Sequence, residues 1–353
     1  MPVQRILVFR LSAMGDVALT VPVIRGMLEE NPNLSITFVT RPFFAPFFEG
    51  IPRLQLYFPD LKGRHKGFGG LFRLFLDLRK EGRFETVIDL HNVLRTKLVR
   101  SYFRAAGTSV FYIDKGREEK KELLKTKEIK QLKHSSERYC DVFRKAGFNV
   151  QMSPVPAIAS SAKASEKIQE YLESQKLPEQ TLKIGFAPFA THATKIWGLE
   201  NARQLMQLIN EKYQAHFYLF GGGQEEIEKL QALSTDNDHI TLVAGQMNLS
   251  EEIALITRMD FMLSMDSSNM HIAALTGTKT ISIWGATHPA FGFYALGQPE
   301  EYSLQTPADE LACRPCSVFG NKPCIHETIK CMEMLTPNIV FRKMEQLNLF
   351  QIQ

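Results

Sequence analysis

The chain has 353 residues, 44% of them hydrophobic, with 42 Lys or Arg against 38 Asp or Glu and a formal net charge of +4. That length suits two α/β domains better than a single core. So mild a basic excess argues against a dedicated nucleic-acid binder, and no apolar run reaches the ~18 residues that a membrane span needs.

A strand-like run, RILVFRL, begins almost at once, so no signal peptide is expected and the chain reads as cytoplasmic. Strand and helix signals then alternate: a helix from Val17 to about Glu30, the strand SITFVT, a helix near Pro42 to Glu49, the strand LQLYF, a long amphipathic helix near Leu71 to Glu81, and the strand TVIDL. The phenylalanines of RPFFAPFFEG suit a helix packed on a sheet, with a lipid-facing aromatic patch as the alternative. In HNVLRTKLVR, which follows TVIDL at its ligand-facing end, Arg95, Lys97 and Arg100 are candidates for binding acidic groups of an acceptor; a solvated basic helix is the plainer alternative. Asp114 to Arg138 carries nine Lys or Arg against six Asp or Glu, which suits a solvated helical face or a positive surface for an anionic acceptor near a membrane.

VQMSPVPAIASSAKASEK, rich in Pro, Ala and Ser, reads as a linker. The pattern then restarts with LKIGFAP, a helix Leu199 to Lys212, HFYLFG, a helix Glu225 to Leu233, ITLVAG, a helix Ser250 to Thr257, FMLSM and TISIW. The expected architecture is two doubly wound, Rossmann-like domains facing a central cleft: residues 1–160, residues 178–335, and a terminal helix in 336–353 returning to the first domain.

Two stretches carry chemistry. In SAMGDVALT, Gly15 allows close approach of a ligand and Asp16 opens the next helix, either as a dipole-stabilising acid or as a catalytic carboxylate. In LSMDSSNMHIAALTG, Ser267 or Ser268 can cap a helix that Gly277 ends, with Asp266 and His271 beside it at the carboxyl end of a strand; a helix N-terminus there favours a phosphate-bearing ligand. GGGQEE lacks the G-x-G-x-x-G spacing, so no nicotinamide cofactor is expected. Cys313, Cys316, Cys324 and Cys331 fall in nineteen residues as C-x2-C-x7-C-x6-C, which suits reduced thiols in a compact loop, with zinc as the alternative.

Five segments in order resemble glycosyltransferase family 9, the ADP-heptose:lipopolysaccharide heptosyltransferases: SAMGDVALTVPVIRGM, ATKIWGLENARQLMQLI, GGGQEE, GQMNLSEEIALI and DSSNMHIAALTG. The resemblance implies a GT-B fold with the acceptor on the N-terminal domain and the nucleotide sugar on the C-terminal one. It implies an inverting, metal-independent transfer of heptose from ADP-heptose to the inner core of lipopolysaccharide. No separate cofactor is needed. Asp16 matches the family's base and Lys195 its diphosphate-binding cation, with Thr191 just before it; Glu225 matches the acid that holds the nucleoside, Met247 an adenine contact, and Asp266, Ser267, Ser268 and His271 the remaining donor site. Ser268 stands where the family has Gly, and Gly198 where Pro follows the Trp. The resemblance further implies a monomer acting at the inner-membrane surface on a lipopolysaccharide acceptor. Another nucleotide-sugar enzyme on the same scaffold, such as an epimerase, and a non-catalytic nucleotide-sugar binder stay open as alternatives.

Overall fold

The computed structural model describes residues 4–351. These divide into two compact units, one holding the described residues up to Gly116 with Lys133–Ile158, the other Arg117–Leu132 with those from Ala159 onward.

The first unit runs β1 (Gln4–Phe9), α1 (Met14–Ala18), α2 (Val21–Glu30), β2 (Leu34–Val39), a 3-10 turn (Pro42–Phe48), β3 (Leu54–Tyr57), α3 (Gly67–Glu81), β4 (Thr86–Asp89), α4 (Leu94–Ala105) and β5 (Ser109–Tyr112). Next comes α5 (Arg117–Thr126), which packs in the second unit, and α6 (Ser135–Lys145) completes the first. All strands pair in parallel in the order β3-β2-β1-β4-β5. The chain winds outward from β1 through β2 and β3, then crosses to β4, so the strand order reverses between β1 and β4. Leu71, Leu74, Phe75 and Leu78 of α3, with Val99 and Phe103 of α4, bury against Leu7, Phe9 and Val87 of the sheet. Each such side chain contributes about 1.5–3 kcal/mol of burial.

Two expectations change here, both through proline. The helix expected over Val17–Glu30 is two helices, because Pro22 has no N–H to continue the first one and the chain breaks at Leu19–Thr20. The helix expected near Pro42 is a 3-10 turn with Pro42 and Pro46 inside it; Phe44, Phe47 and Phe48 are buried, as a packed element requires, and Phe43 is exposed.

The second unit runs α7 (Ala162–Ser174), β6 (Leu182–Ala187), a 3-10 turn (Ala193–Lys195), α8 (Leu199–Lys212), β7 (Ala215–Leu219), α9 (Gln224–Ser234), β8 (Ile240–Leu242), α10 (Leu249–Ile256), β9 (Phe261–Met265), α11 (Ser268–Leu275), β10 (Thr280–Trp284), β11 (Ser303–Gln305), α12 (Lys330–Met334) and α13 (Pro337–Gln346). Its strands are also parallel, in the order β11-β10-β9-β6-β7-β8, and the order reverses between β6 and β9.

The end of the expected linker is helical, since the Ser161 hydroxyl accepts the Ala164 N–H at 3.1 Å and caps α7. The first domain is not continuous to residue 160: Leu123 packs with Ala290 and Phe291, and the Lys120 ammonium lies 4.2 Å from the centre of the Phe293 ring, which ties α5 to the second unit. The terminal helix packs within the second unit. Val340 and Met344 of α13 bury with Leu205 and Ile209 of α8, and Phe350 stacks on Tyr213 at 4.4 Å. No helix among the described residues is long and apolar enough to cross a membrane.

Candidate active site

In open parallel sheets, ligands gather at the carboxyl ends of the strands where their order reverses. In the first unit that point lies beyond β1 and β4. The loop leaving β1 carries Arg10 and Ser12, and Asp16 follows in the first turn of α1. The Arg10 guanidinium forms an ion pair with the Asp16 carboxylate, donates to the Leu90 carbonyl at 2.7 Å and lies 5.6 Å from the Tyr139 ring centre. Burial opposes the Arg10 charge, but Tyr139 and Asp16 outweigh it and hold the guanidinium above its ordinary pKa. The Arg10 side chain is only 6% exposed whereas that of Asp16 is 38% exposed, so the carboxylate is held from beneath and open above. The Tyr139 hydroxyl, 3.4 Å from Asp16 Oδ1, completes the support.

The loop leaving β4 adds His91, whose Nε2 lies 3.3 Å from Ser12 Oγ. Burial, then the charge of Arg10, pushes its pKa down to about 3, so the imidazole is neutral at physiological pH. Among the described residues its buried Nδ1 has no hydrogen-bond partner. Asp89, fully buried, shapes this loop: Oδ1 accepts the N–H groups of His91 and Asn92 at 3.0 and 2.8 Å, and Oδ2 accepts from Arg100 at 2.8 Å. Arg100 also stacks over Tyr112, 3.9 Å from the ring centre. Its charge is therefore paired within the fold. Arg95 and Lys97 are exposed on α4.

In the second unit the order reverses at β6 and β9, and the residues beyond them meet: Lys195 Nζ is 2.8 Å from Asp266 Oδ2, with the two side chains 15% and 6% exposed. Thr287 Oγ1 donates to the same oxygen at 2.7 Å. Two glycines permit this packing. A Cβ on Gly285 would lie 2.5 Å from the Thr194 carbonyl, and one on Gly320, at φ +80°, would lie 2.6 Å from Lys195 Cδ. Thr194 Oγ1 donates to the Gly320 carbonyl at 2.6 Å. Arg314, 1% exposed, binds the cysteine-bearing segment to the ends of β10 and β11, donating to the carbonyls of Gly285, Thr306 and Thr287.

Ser267 stands at the N-cap of α11, but its hydroxyl pairs with Ser264 Oγ at 3.1 Å and makes no cap bond, so the first-turn amides of α11 have no side-chain cap. Ser268 is half-buried in that turn and His271 is buried within the helix. Thr191 is exposed. Glu225, after β7, pairs with Lys229 at 2.6 Å, which holds its carboxyl below the usual range. Met247 follows β8 and lines a cavity with Ile168, Tyr171 and Leu242. The structure thus joins Lys195 to Asp266, while Glu225 and Met247 stand beyond the neighbouring strands β7 and β8. Among the described residues no cluster of His, Cys, Asp or Glu is placed to hold a metal; Cys313 Sγ lies 3.8 Å from His326 Nε2, and burial pushes the Cys331 thiol up to about 11.

The family model for glycosyltransferase family 9 (heptosyltransferase) matches residues 71–313. The chain belongs to this family. Glycosyltransferase family 9 accounts for its two parallel sheets, which are those of the GT-B fold, and makes it a glycosyltransferase. It is 22% identical over 290 residues to the lipopolysaccharide core heptosyltransferase OpsX of Haemophilus influenzae, covering 80% of this chain and 79% of that one. The family 9 glycosyltransferase structure from Veillonella parvula superposes with a TM-score of 0.76 at 20% identity, over 99% of both chains. Escherichia coli ADP-heptose lipopolysaccharide heptosyltransferase II superposes with a TM-score of 0.70 at 18% identity, over 98% of both. Several residues that build this candidate site went unread in the sequence. Arg10 was visible as a lone cation ending an apolar strand, and His91 as a histidine directly after TVIDL; Thr287 and Arg314 carry no such local signal.

Proposed function

We propose that this glycosyltransferase moves heptose from ADP-heptose to the inner core of lipopolysaccharide, with inversion at the anomeric carbon and at the cytoplasmic surface of the inner membrane. The observation that carries the reading is that Asp16 and Lys195, the two motif residues expected to do the chemistry, each stand at the strand-order reversal of their own sheet. Asp16 takes the proton of an acceptor hydroxyl as its oxygen attacks the anomeric carbon; the bond to the β-phosphate breaks and ADP leaves from the opposite face with the electron pair. Arg10 fixes the carboxylate for that transfer. Lys195, here neutralised by Asp266, turns to the diphosphate as its charge grows, and the uncapped amides of α11 supply further positive ends. With those cations and dipoles in place, the reading needs no resident metal or cofactor. Asp266 then accepts from a sugar hydroxyl, and Glu225 and Met247 serve the nucleoside.

The test is ADP release on mixing the purified chain with ADP-heptose and Kdo-lipid A. Release that needs both substrates, with the heptosylated lipid seen by mass spectrometry, supports the reading. Tight donor binding without turnover, or turnover only with another nucleotide sugar, overturns it.

A further inference from the structure

The outward faces of α3 and α4 gather several of the exposed large hydrophobic side chains. On α3, Phe68, Phe72 and Leu76 recur every four residues and so form one row along the helix, yet they are 73%, 46% and 41% exposed. Leu94, in the first turn of α4, is 75% exposed, and Phe72 meets Tyr102 of α4 edge-on at 5.2 Å, so the two helices share one apolar strip. The inward faces are already satisfied by the sheet, which means that amphipathic folding alone does not explain this second apolar row.

Cations border the strip. Together α3 and α4 hold seven Lys or Arg against two Asp or Glu. Arg73, Arg79 and Lys80 are exposed beside the phenylalanine row, and Lys97 beside Leu94. Of the two acids, Asp77 is taken by Arg64 at 2.7 Å and His65 at 3.1 Å, with the exposed Lys80 ammonium farther off at 3.6 Å. A protein partner would favour a compact apolar patch depleted in lysine. Large apolar side chains in a row, flanked by cations on a helix too short to span, are the pattern of a helix lying in a lipid interface. Both helices begin at the carboxyl edge of the sheet, the edge that carries Asp16.

We propose that the α3–α4 face docks the enzyme on an anionic lipid surface, with Phe68, Phe72, Leu76 and Leu94 entering the headgroup layer and the flanking cations meeting lipid phosphates. This deepens the membrane-surface reading above and rests on it for its purpose, though vesicle binding is measured without donor or acceptor. The experiment is flotation of the full chain with vesicles of phosphatidylcholine alone or with about a third phosphatidylglycerol, at low salt and at about 0.5 M salt. The chain is expected to float only with anionic vesicles and to be released by salt. Phe68→Ser/Leu76→Ser should weaken partitioning at least tenfold, and Arg73→Gln/Arg79→Gln/Lys80→Gln on the order of a hundredfold, at about fivefold per cation. Both should keep the parent melting temperature and ADP affinity. Absence of flotation, binding that neither variant weakens, or an apolar variant that only dissolves a dimer seen in sedimentation would each overturn the proposal. Flotation without heptosyl transfer would support docking and count against the functional reading alone.

Discussion

Lys195 and Asp266 neutralise one another across 2.8 Å at the reversal point of the second sheet. The cation proposed for the diphosphate is therefore stored on a buried carboxylate that Thr287 also holds. Removing one partner strands the other, so stability and turnover have to be read separately.

For Lys195→Ala, loss of a charge where the leaving group develops costs about 2–4 kcal/mol in the transition state, so turnover should fall thirtyfold or more. Stability from urea denaturation should fall by about 2 kcal/mol, because Asp266 is left buried without its cation. The double variant Lys195→Ala/Asp266→Asn should regain most of that stability and none of the turnover. Recovery of both would reduce Lys195 to a structural role.

Asp16→Asn separates a base from a helix acid. An amide cannot take the acceptor's proton, and turnover should drop by about a hundredfold to ten-thousandfold while donor affinity is unchanged. The ion pair with Arg10 adds a second effect: the guanidinium keeps its charge in a buried position, so unfolding should cost about 1–2 kcal/mol less, the partly exposed carboxylate limiting the loss. Near-normal turnover measured well below the melting temperature would send the search for the base elsewhere.

Gly320→Ala tests the packing around the cation from a distance. At φ +80° the alanine itself is strained by about 1 kcal/mol, and its methyl meets the Lys195 stem. Turnover should fall severalfold or more with little change in acceptor KM. A variant indistinguishable from the parent in stability and turnover would mean that the cysteine-bearing segment does not position Lys195.

Chelation tests the source of positive charge. With Lys195 and the α11 amides serving the diphosphate, transfer should be nearly unchanged by EDTA. Loss of activity that zinc, iron or magnesium restores would reassign that charge and reopen the cysteine segment as a metal site.

His91 provides a pH signature. Its folded pKa, about 3, lies below the ordinary 6.5, so the unfolded chain takes up the proton first as pH falls. The stability it contributes is whole above pH 6.5 and is lost progressively toward pH 3. Between pH 6.5 and 5 that loss is on the order of 2 kcal/mol. His216 and His288, both pushed down to about 4 by burial, act in the same direction, whereas Glu252, raised to about 7 by burial, acts in the opposite one, which is why the comparison has to be made against a variant. His91→Gln should flatten the fall in melting temperature over this window. An unchanged slope would place the ring in water.

What the sequence reveals follows from what local chemistry can encode. FMLSM and TISIW are the strands β9 and β10, and Leu199–Lys212 is a helix with those bounds, because apolar runs and a glycine start are local properties. Asp16, Lys195 and Asp266 were legible because each sits in a short motif. The partners that define them were not: Arg10 lies six residues from Asp16, Thr287 twenty-one from Asp266, and Arg314 acts through carbonyls whose place only the fold decides. Arg100 shows the same limit from the other side: a cation at a strand end looks free in the sequence, and in the fold a buried aspartate pairs with it.

The excursion Arg117–Leu132 means that the backbone passes between the two units three times. Cutting the chain once near residue 160 would not free an autonomous N-terminal half: it would carry α5 away from the shell of Ala290, Phe291 and Phe293, leaving Leu123 bare and the Lys127 ammonium without the Cys313 and Pro315 carbonyls that hold it. Sequence exchange between relatives should therefore succeed only when that insert travels with the C-terminal half, so that the inheritable modules of this enzyme are discontinuous in the gene.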